Sequence, residues 1–360
     1  MKAYLVLENG SIYEGTPKGA FRETVCEIVF NNSMTGYSEL ITDPSSAGQG
    51  IVMTYPMIGN YGVNREDFES PNIHCAALIV NELSDKTSNF RCEQPLEDIL
   101  LEFNIPCVSN IDTRAVVKKI RENGTALGVI TDDISDLSRL NDLMKNYKQN
   151  KPVESVSTKE PFEAGTENTG FSVAVLDLGT KKYLLDALLD RGCRLTVYPH
   201  SASVADIISA GHDGVMISGG PGNPNEYPEI VGRIKELVDK NIPVFATGLG
   251  HQLVALSAGA KVQKMKHGHR GGNYPVKYID DDQTYITAQN HGYEVAAESL
   301  PENIKVESVN VNDNTVEGLA LVGRPVFTAQ FYPDTTGSTH NTSFLFKRFI
   351  AMMEEGGCHD

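Results

Sequence analysis

The chain has 360 residues, which predicts about two domains, and its 40% hydrophobic and 22% charged residues are ordinary for a soluble globular protein. Its formal net charge of −16 argues against sequence-independent nucleic-acid binding, which needs basic patches to neutralise phosphates. Because no run of about 18 apolar residues occurs, no membrane span is expected. Six cysteines without a C-x-x-C pair or a secretion signal predict reduced thiols in a cytoplasmic protein.

The N-terminal half is predicted to be α/β structure that is richer in strands than in helices. It opens on a strand and a turn at Asn9-Gly10, a dipeptide typical of hairpin turns. Its clearest helix runs from Asp112 to Gly124, since aspartate is a favoured N-cap and glycine a favoured stop.

A polar stretch over residues 146–169 has little apolar periodicity and contains prolines and a glycine. This composition predicts a linker with room for one short strand. We therefore place an N-terminal domain at residues 1–148, the linker at 149–170 and a second domain at 171–356.

The C-terminal half alternates predicted strands with predicted helices. This rhythm predicts a largely parallel sheet that helices cover on both faces, followed by later strands that can be antiparallel and by a closing helix. The predicted strands are 173–178, 195–198, 214–218 and 243–246, with 285–289, 306–309 and 326–330 later, and the predicted helices are 181–191, one that begins at Pro228, and 341–354.

Two glycine-rich loops follow predicted strands, at the sheet edge where parallel α/β folds bind ligands. Residues 218–224 combine three glycines with two prolines, a composition suited to close approach of backbone to a ligand. Residues 245–252 pass from strand to helix through the kind of elbow that presents a nucleophile beside an oxyanion-stabilising N–H. Taken alone, the first is more simply a tight surface loop and the second an ordinary glycine-rich turn.

Two further segments, 289–293 and 330–334, also follow predicted strands. A lone histidine is more often a structural hydrogen-bonding group than a catalyst. We interpret His291 in the first of these segments, and His251 in the elbow segment 245–252, in that way. The pair in His267-Gly268-His269 is interpreted as polar loop residues, and no metal site is predicted.

Taken together, these four segments resemble class I (triad-type) glutamine amidotransferase domains, which carry a glycine–proline loop, a G-x-C-x-G-H-Q elbow and a late H-P-E. The N-terminal half is similar to the small subunit of carbamoyl-phosphate synthetase, and the order and spacing hold over nearly the whole chain. The segments that carry this similarity are 34–39 (MTGYSE), 42–45 (TDPS), 54–62 (TYPMIGNYG) and 111–114 (IDTR). The resemblance implies a strand-rich α/β domain specific to the small subunit, followed by a class I glutamine amidotransferase-like domain with a mainly parallel central sheet.

The resemblance also implies a function and a partner. In that family the small subunit hydrolyses glutamine through a Cys–His–Glu triad and passes ammonia through a tunnel to a large subunit. The large subunit uses ATP, Mg and bicarbonate to make carbamoyl phosphate for pyrimidine and arginine biosynthesis, so no cofactor is expected in this chain. The N-terminal half is implied to make most of the contact with that partner, and neither nucleic acid nor membrane is expected as a partner.

All three triad positions depart from the family pattern. The nucleophile position is Gly248, the general-base position is Tyr332 and the position of the orienting acid is Asp334. Glycine has no side chain to attack the amide, and a phenol with a reference pKa of about 10 is a poor base at neutral pH. We interpret neither Thr247 nor Cys193 as a relocated nucleophile. The sequence therefore predicts that this chain has lost its own glutaminase activity.

The implied glutamine-binding positions retain residue types that suit a pocket. Two interpretations stay open: the pocket still binds glutamine without cleaving it, or its glycines persist because the turns need them. Leu178, Tyr183 and Ser46 are smaller departures in the wall of this pocket. The implied glutamine-binding residues are Ser45, Gly220, Gly222, Leu249, Gln252, Asn290, Gly292 and Tyr293.

Three functions follow as hypotheses. The first is a structural and activating subunit of an ammonia-dependent carbamoyl-phosphate synthetase. The second is a glutamine-binding regulatory paralogue that docks on a synthetase without catalysis. The third is glutaminase by another route, or a different reaction in the vacated pocket.

Overall fold

The computed structural model describes residues 2–148, 151–333 and 342–356, and the chain divides into two compact units, Met1–Asn150 and Lys151–Asp360. Each unit has its own hydrophobic core. Among the described residues, no helix is both long enough and apolar enough to cross a membrane.

The first unit is built around a barrel, which agrees with the predicted excess of strands. Over residues 2–148 seven strands close it in the order β1-β2-β8-β6-β4-β3-β9, and β5 and β7 form a separate parallel pair. The strands are β1 (Ala3–Leu7), β2 (Ile12–Gly19), β3 (Thr24–Asn31), β4 (Gln49–Met53), β5 (Met57–Ile58), β6 (Ala77–Ile79), β7 (Glu82–Leu83), β8 (Pro106–Ser109) and β9 (Ala126–Thr131). The helices are α1 (Tyr37–Thr42), α2 (Leu96–Glu102), α3 (Thr113–Asn123) and α4 (Leu137–Asn146).

The local signals of this half are confirmed. The turn between β1 and β2 has Gly10 at a φ of +84°, which favours glycine. The carboxylate of Asp112 caps α3 by accepting a hydrogen bond from the N–H of Ala115 at 2.9 Å. Gly124 follows that helix at a φ of +96°.

The second unit continues the numbering of the first. Its strands are β10 (Phe162–Ala164), β11 (Ser172–Asp177), β12 (Arg194–Pro199), β13 (Gly214–Ile217), β14 (Val244–Thr247), β15 (Val262–Tyr278), β16 (Thr284–Val295), β17 (Ile304–Asn310), β18 (Val316–Leu321) and β19 (Val326–Ala329). Its helices are α5 (Val153–Val156), α6 (Lys182–Leu189), α7 (Val204–Ser209), α8 (Pro228–Asp239), α9 (Leu249–Ser257) and α10 (Phe344–Gly356).

One mixed sheet runs through the described part of this unit in the order β10-β12-β11-β13-β14-β19-β18-β17-β15-β16. The central strands β12, β11, β13, β14 and β19 are parallel, as the βα rhythm predicts. Residues 326–330, which contain β19, were expected to pair antiparallel. This expectation is correct for the pairing of β19 with β18, but β19 pairs parallel with its other neighbour, β14. A fully buried strand has no side-chain alternation from which its direction could be inferred.

Helices cover both faces of the sheet, which confirms the predicted layering. Alternate residues of β11 point to opposite sides, because successive side chains of a strand do so. Ala174 and Leu176 join one core with α8 and α9, whereas Val173 and Val175 join another core with α6 and α10. This arrangement leaves the carboxyl ends of the parallel strands as one edge on which loops can converge.

Candidate functional site

The loops at the carboxyl ends of the parallel strands are held together by hydrogen bonds from backbone N–H groups. The hydroxyl of Ser218, after β13, accepts from the N–H of Leu178, after β11, at 2.9 Å. The carbonyl of Ser218 accepts from the N–H of Gly250 at 3.2 Å, and the N–H of Gly248 donates to Ala329 at 3.0 Å. The two loops that stand out in the sequence therefore lie side by side, next to the end of β19.

Gly248 forms the sharp turn between β14 and α9 that the sequence predicts. Its φ of +51° and ψ of −115° are strained for any residue with a side chain. A Cβ atom built there would lie 3.2 Å from the Cα of Gly219 and 4.0 Å from the carbonyl oxygen of Gln330. The backbone thus has the conformation of a nucleophile elbow, but no side chain is present to act as the nucleophile.

The glycines of the neighbouring loop have steric reasons of their own. A Cβ at Gly220 would lie 2.1 Å from the carbonyl oxygen of Leu178. Gly222 has a φ of +94°, and a Cβ there would lie 2.8 Å from Pro152. Since the fold itself requires glycine at both positions, their presence does not distinguish a glutamine-binding pocket from a turn that needs glycine.

Gln252 ties three segments of the second unit together. Its side-chain amide donates to the carbonyl oxygen of Tyr293 and to the side chain of Gln330, both at 2.9 Å. Gln252 and Leu249, on the first turns of α9, are both buried. The structure therefore brings Gln252 and Tyr293, two of the predicted glutamine-binding residues, into direct contact.

Tyr332, at the position predicted for a general base, is fixed by a backbone bond and by a cation. Its N–H donates to the carbonyl oxygen of Ala288 at 3.0 Å. The ammonium of Lys181 lies 4.1 Å from the centre of its ring and 5.1 Å from the ring of Tyr183, and the two rings meet edge to face at 6.2 Å. The third triad position, Asp334, lies outside the described residues.

Lys181 is a residue that the sequence-based reasoning missed. It directly precedes α6, just beyond the carboxyl end of β11, and it is only 8% exposed. A buried lysine needs compensating partners, and the faces of two aromatic rings provide part of that compensation. Its place in the short loop between a parallel strand and the following helix was the available signal.

The segment with Asn290, Gly292 and Tyr293 lies inside a strand and does not follow one, so that expectation is wrong. β16 extends to Val295 and pairs with β15, with Asn290 opposite Arg270. Gly292 allows a close approach within this strand, since a Cβ there would lie 2.9 Å from the guanidinium of Arg270.

His251 is a structural residue, as interpreted from the sequence. Its imidazole is fully buried, and its Nδ1 lies 2.7 Å from the hydroxyl of Thr328. Burial lowers the pKa of His251 to about 3, so the ring is neutral at physiological pH. His291 also bonds within the fold, through Nδ1 to the carbonyl oxygen of Tyr293 at 2.9 Å and through Nε2 to Gln289 at 3.0 Å.

The interpretation of His267 and His269 as loop residues is wrong. Both lie on β15, and His269 is buried with its Nε2 2.8 Å from Asp313 and its Nδ1 3.3 Å from Glu317. Burial alone would lower the pKa of His269, but its bonds to these two carboxylates outweigh burial and raise it to about 9. The glycines around His269 suggested a loop, whereas they accompany breaks in the β15–β16 ladder.

Ser45, the remaining predicted pocket residue, belongs to the first unit. It lies in a 3₁₀ turn, Pro44–Ser46, where its N–H donates to the carboxylate of Asp43 at 2.8 Å. Its grouping with the residues of the second unit remains a prediction.

The alternative nucleophiles have unsuitable surroundings. Cys193 is fully buried at the amino end of β12, the opposite sheet edge from Gly248, and burial raises the pKa of its thiol to about 11. A thiol with so high a pKa is not the thiolate that attack requires. Thr247 is 2% exposed within β14.

Comparison with known proteins agrees with this architecture in both units. Residues 174–352 match the family model of class I glutamine amidotransferases, and residues 5–130 match that of the carbamoyl-phosphate synthase small chain, CPSase domain. A solved structure, a glutamine amidotransferase from Thermotoga maritima, covers 52% of this chain and 84% of its own with 17% identity and a TM-score of 0.39. That score is too low to add to the fold assignment.

Full-length relatives identify the family. The carbamoyl phosphate synthase small chain of Clostridium perfringens is 42% identical over 97% of this chain and 99% of its own. That of Staphylococcus saprophyticus is 44% identical over 98% of this chain and 96% of its own. The second unit thus has a class I glutamine amidotransferase fold, and the chain as a whole belongs to the carbamoyl-phosphate synthase small chain family.

Proposed function

We propose that this chain is the structural and activating small subunit of an ammonia-dependent carbamoyl-phosphate synthetase and hydrolyses no glutamine. Its partner is a large subunit that uses ATP, Mg and bicarbonate, and the carbamoyl phosphate serves pyrimidine and arginine biosynthesis, as the family resemblance implies. Family membership supports the partner, whereas the loss of hydrolysis is supported by the site itself.

The observation that carries the proposal is Gly248. The turn between β14 and α9 has the φ and ψ of a nucleophile elbow, yet its apex residue carries no side chain. Covalent amide hydrolysis needs a thiolate or alkoxide at that apex, beside the N–H groups that stabilise the oxyanion. With the apex vacant, the reaction has no attacking atom.

The position of the general base supports the same conclusion. A phenol is protonated at neutral pH, so Tyr332 cannot remove a proton from a nucleophile as an imidazole does. Its ring lies against Tyr183 and under the ammonium of Lys181. The proposed loss of glutaminase activity therefore involves several altered side chains and not only a missing thiol.

The deciding experiment is reconstitution of the full chain with its cognate large subunit. With ATP and bicarbonate, ammonium is expected to support carbamoyl phosphate formation, and glutamine is expected to support none above the rate of the large subunit by itself. The control is the large subunit without this chain, supplied with ammonium, which is expected to be slower. Glutamine-dependent synthesis, with release of glutamate, would contradict the proposal.

A second candidate is a subunit that binds glutamine as a regulator without cleaving it. The elbow conformation of Gly248 and the hydrogen bonds from Gln252 to Tyr293 and Gln330 keep the predicted glutamine-binding loops ordered although the nucleophile is absent. Titration calorimetry with glutamine, on the chain alone and on the complex, tests it. Saturable binding that changes the ammonium-dependent rate favours the regulator, and the absence of binding eliminates it.

A further inference from the structure

A buried cluster of metal-ligand side chains lies on the antiparallel side of the second unit. His269 on β15, His291 on β16 and Glu317 on β18 are all buried, and one ligand atom from each lies within 4.8 Å of the others. Gln289, also buried, directs its carbonyl oxygen toward the same point, 2.8 Å from His269 Nδ1 and 3.0 Å from His291 Nε2. Four residues from three strands thus converge.

The outer nitrogen of each histidine has an acceptor as its partner. His269 Nε2 lies 2.8 Å from a carboxylate oxygen of Asp313, and His291 Nδ1 lies 2.9 Å from the carbonyl oxygen of Tyr293. Because both partners only accept, these nitrogens carry the hydrogens. Metal-binding histidines in proteins are held in this way, by a carboxylate or carbonyl on the nitrogen that faces away from the metal.

The inner side of the cluster contains more acceptors than donors. A neutral His291 with its hydrogen on Nδ1 presents a lone pair on Nε2 to the Gln289 oxygen, which also has lone pairs. Protonating both histidines instead would bury two cations whose ring centres are 5.0 Å apart. One carboxylate oxygen of Glu317, Oε2, is buried without a hydrogen-bond partner. A cation would satisfy all of these electron pairs together.

From this geometry we propose that His269 Nδ1, His291 Nε2, the Glu317 carboxylate and the Gln289 carbonyl oxygen bind one divalent transition-metal ion of the zinc class. Two imidazoles with oxygen ligands suit zinc and its neighbours better than Mg or Ca, which prefer oxygen alone. His269 Nδ1 and Glu317 Oε1 are 3.3 Å apart, which matches the spacing of about 3.3 Å between ligands around a tetrahedral ion with bonds of about 2.0 Å. The Gln289 oxygen lies closer, at 2.8 and 3.0 Å from the two histidine nitrogens, and has to move slightly outward to bind the same ion.

The metal compensates for backbone hydrogen bonds that the β15–β16 ladder lacks in this part of the sheet. The β15–β16 ladder is irregular between Lys264 and His269 and again between Gly271 and Tyr274, so His269 and His291 form an isolated stretch of regular pairing. A metal there joins β15, β16 and β18 and fixes the segment that carries Asn290, Gly292 and Tyr293. Its role is structural.

The test uses untagged full-length chain, freed of metal by a chelator and titrated with Co²⁺ and then Zn²⁺. The expected result is one Co²⁺ per chain, with visible absorption bands of a nitrogen and oxygen ligand set, their loss on adding Zn²⁺, and a higher melting temperature with either ion. Absence of saturable binding overturns the proposal. A near-ultraviolet thiolate-to-cobalt band also overturns it, because that band would place the ion on cysteines.

Variants locate the ion. Glu317→Gln and His291→Asn are expected to lower the bound Co²⁺ from one per chain to none, whereas His212→Asn, which removes a histidine outside the cluster, leaves it at one. If either buried variant fails to fold, Asp313→Asn serves, since the Asp313 side chain is 41% exposed. Loss of this outer carboxylate is expected to weaken Co²⁺ binding about 10- to 100-fold. Unchanged affinity in Asp313→Asn would contradict the proposed orientation of His269.

Discussion

The ammonium of Lys181 lies 4.1 Å from the centre of the Tyr332 ring, so a buried cation covers the position that a general base occupies in the family pattern. Tyr183 packs edge to face against the same ring. Tyr183 and Tyr332 are both departures from that pattern, and the fold brings them into contact. The changes at the two positions therefore form one aromatic surface for a single lysine.

We expect this contact to contribute to stability. Tyr332→Leu is expected to lower the free energy of unfolding by about 1–2 kcal/mol more than Tyr332→Phe, because phenylalanine keeps an aromatic face for the ammonium. Urea denaturation measures both. A double-mutant cycle with Lys181→Met isolates the pair, and equal losses from the two Tyr332 variants would show that the ring face does not stabilise Lys181.

Gly248 gives a second stability prediction. Gly248→Cys is expected to destabilise the chain by about 1–3 kcal/mol, because a side chain is strained at its φ of +51° and ψ of −115°. Gly248→Ala separates the strain of the Cβ from any effect of the thiol. Gly232→Ala is the matched control: a Cβ there meets nothing within 4 Å in the interior of α8, so alanine is expected to stabilise by about 0.5–1 kcal/mol. A cysteine variant more stable than the natural chain would refute the strain argument.

Gly220 gives a third prediction that is independent of any ligand. Gly220→Ala places a Cβ against the carbonyl oxygen of Leu178, 2.1 Å away, which no side-chain movement relieves. We expect a larger loss than Gly248→Ala shows, because backbone must shift. Thermal unfolding without glutamine measures it. If Gly220→Ala were as stable as the natural chain, the packing argument for this glycine would be wrong.

The catalytic departures can be tested by restoring them in order. Gly248→Cys alone is expected to release no glutamate from glutamine, since no base is present to form the thiolate. Gly248→Cys with Tyr332→His and Asp334→Glu is expected to show measurable release, because the three chemical roles are then filled. Coupled detection of glutamate, on complexes with the large subunit, makes the comparison. Hydrolysis by Gly248→Cys alone would show that another base is in place.

The sequence predicted a large part of the site because the relevant signals are local. Gly248 between a buried strand and a helix indicates the elbow, and Gly124 after an aspartate-capped helix indicates the end of that helix. Both depend on backbone preferences of single residues and on periodic burial, which neighbouring residues encode. The residues at the triad positions likewise follow from short motifs in a fixed order.

Local signals misled where a strand contains glycine. Gly268 suggested a loop around His269, and residues 289–293 were expected to follow a strand, whereas His269 and His291 both lie on paired strands whose ladder is irregular. Composition cannot separate a loop from a bulged strand, because both use glycine to relieve backbone contacts.

By itself, then, the sequence determined the fold class and the elbow at Gly248, and it predicts which chemical groups are missing from the triad positions. Only the tertiary structure decided that Lys181 lies over Tyr332 and that His269, His291 and Glu317 meet. The physical reason is that these contacts join side chains from different strands and loops. The order of strands in a sheet and the register between them bring such residues together. Neither the order nor the register can be inferred from the residues that neighbour each side chain in the sequence.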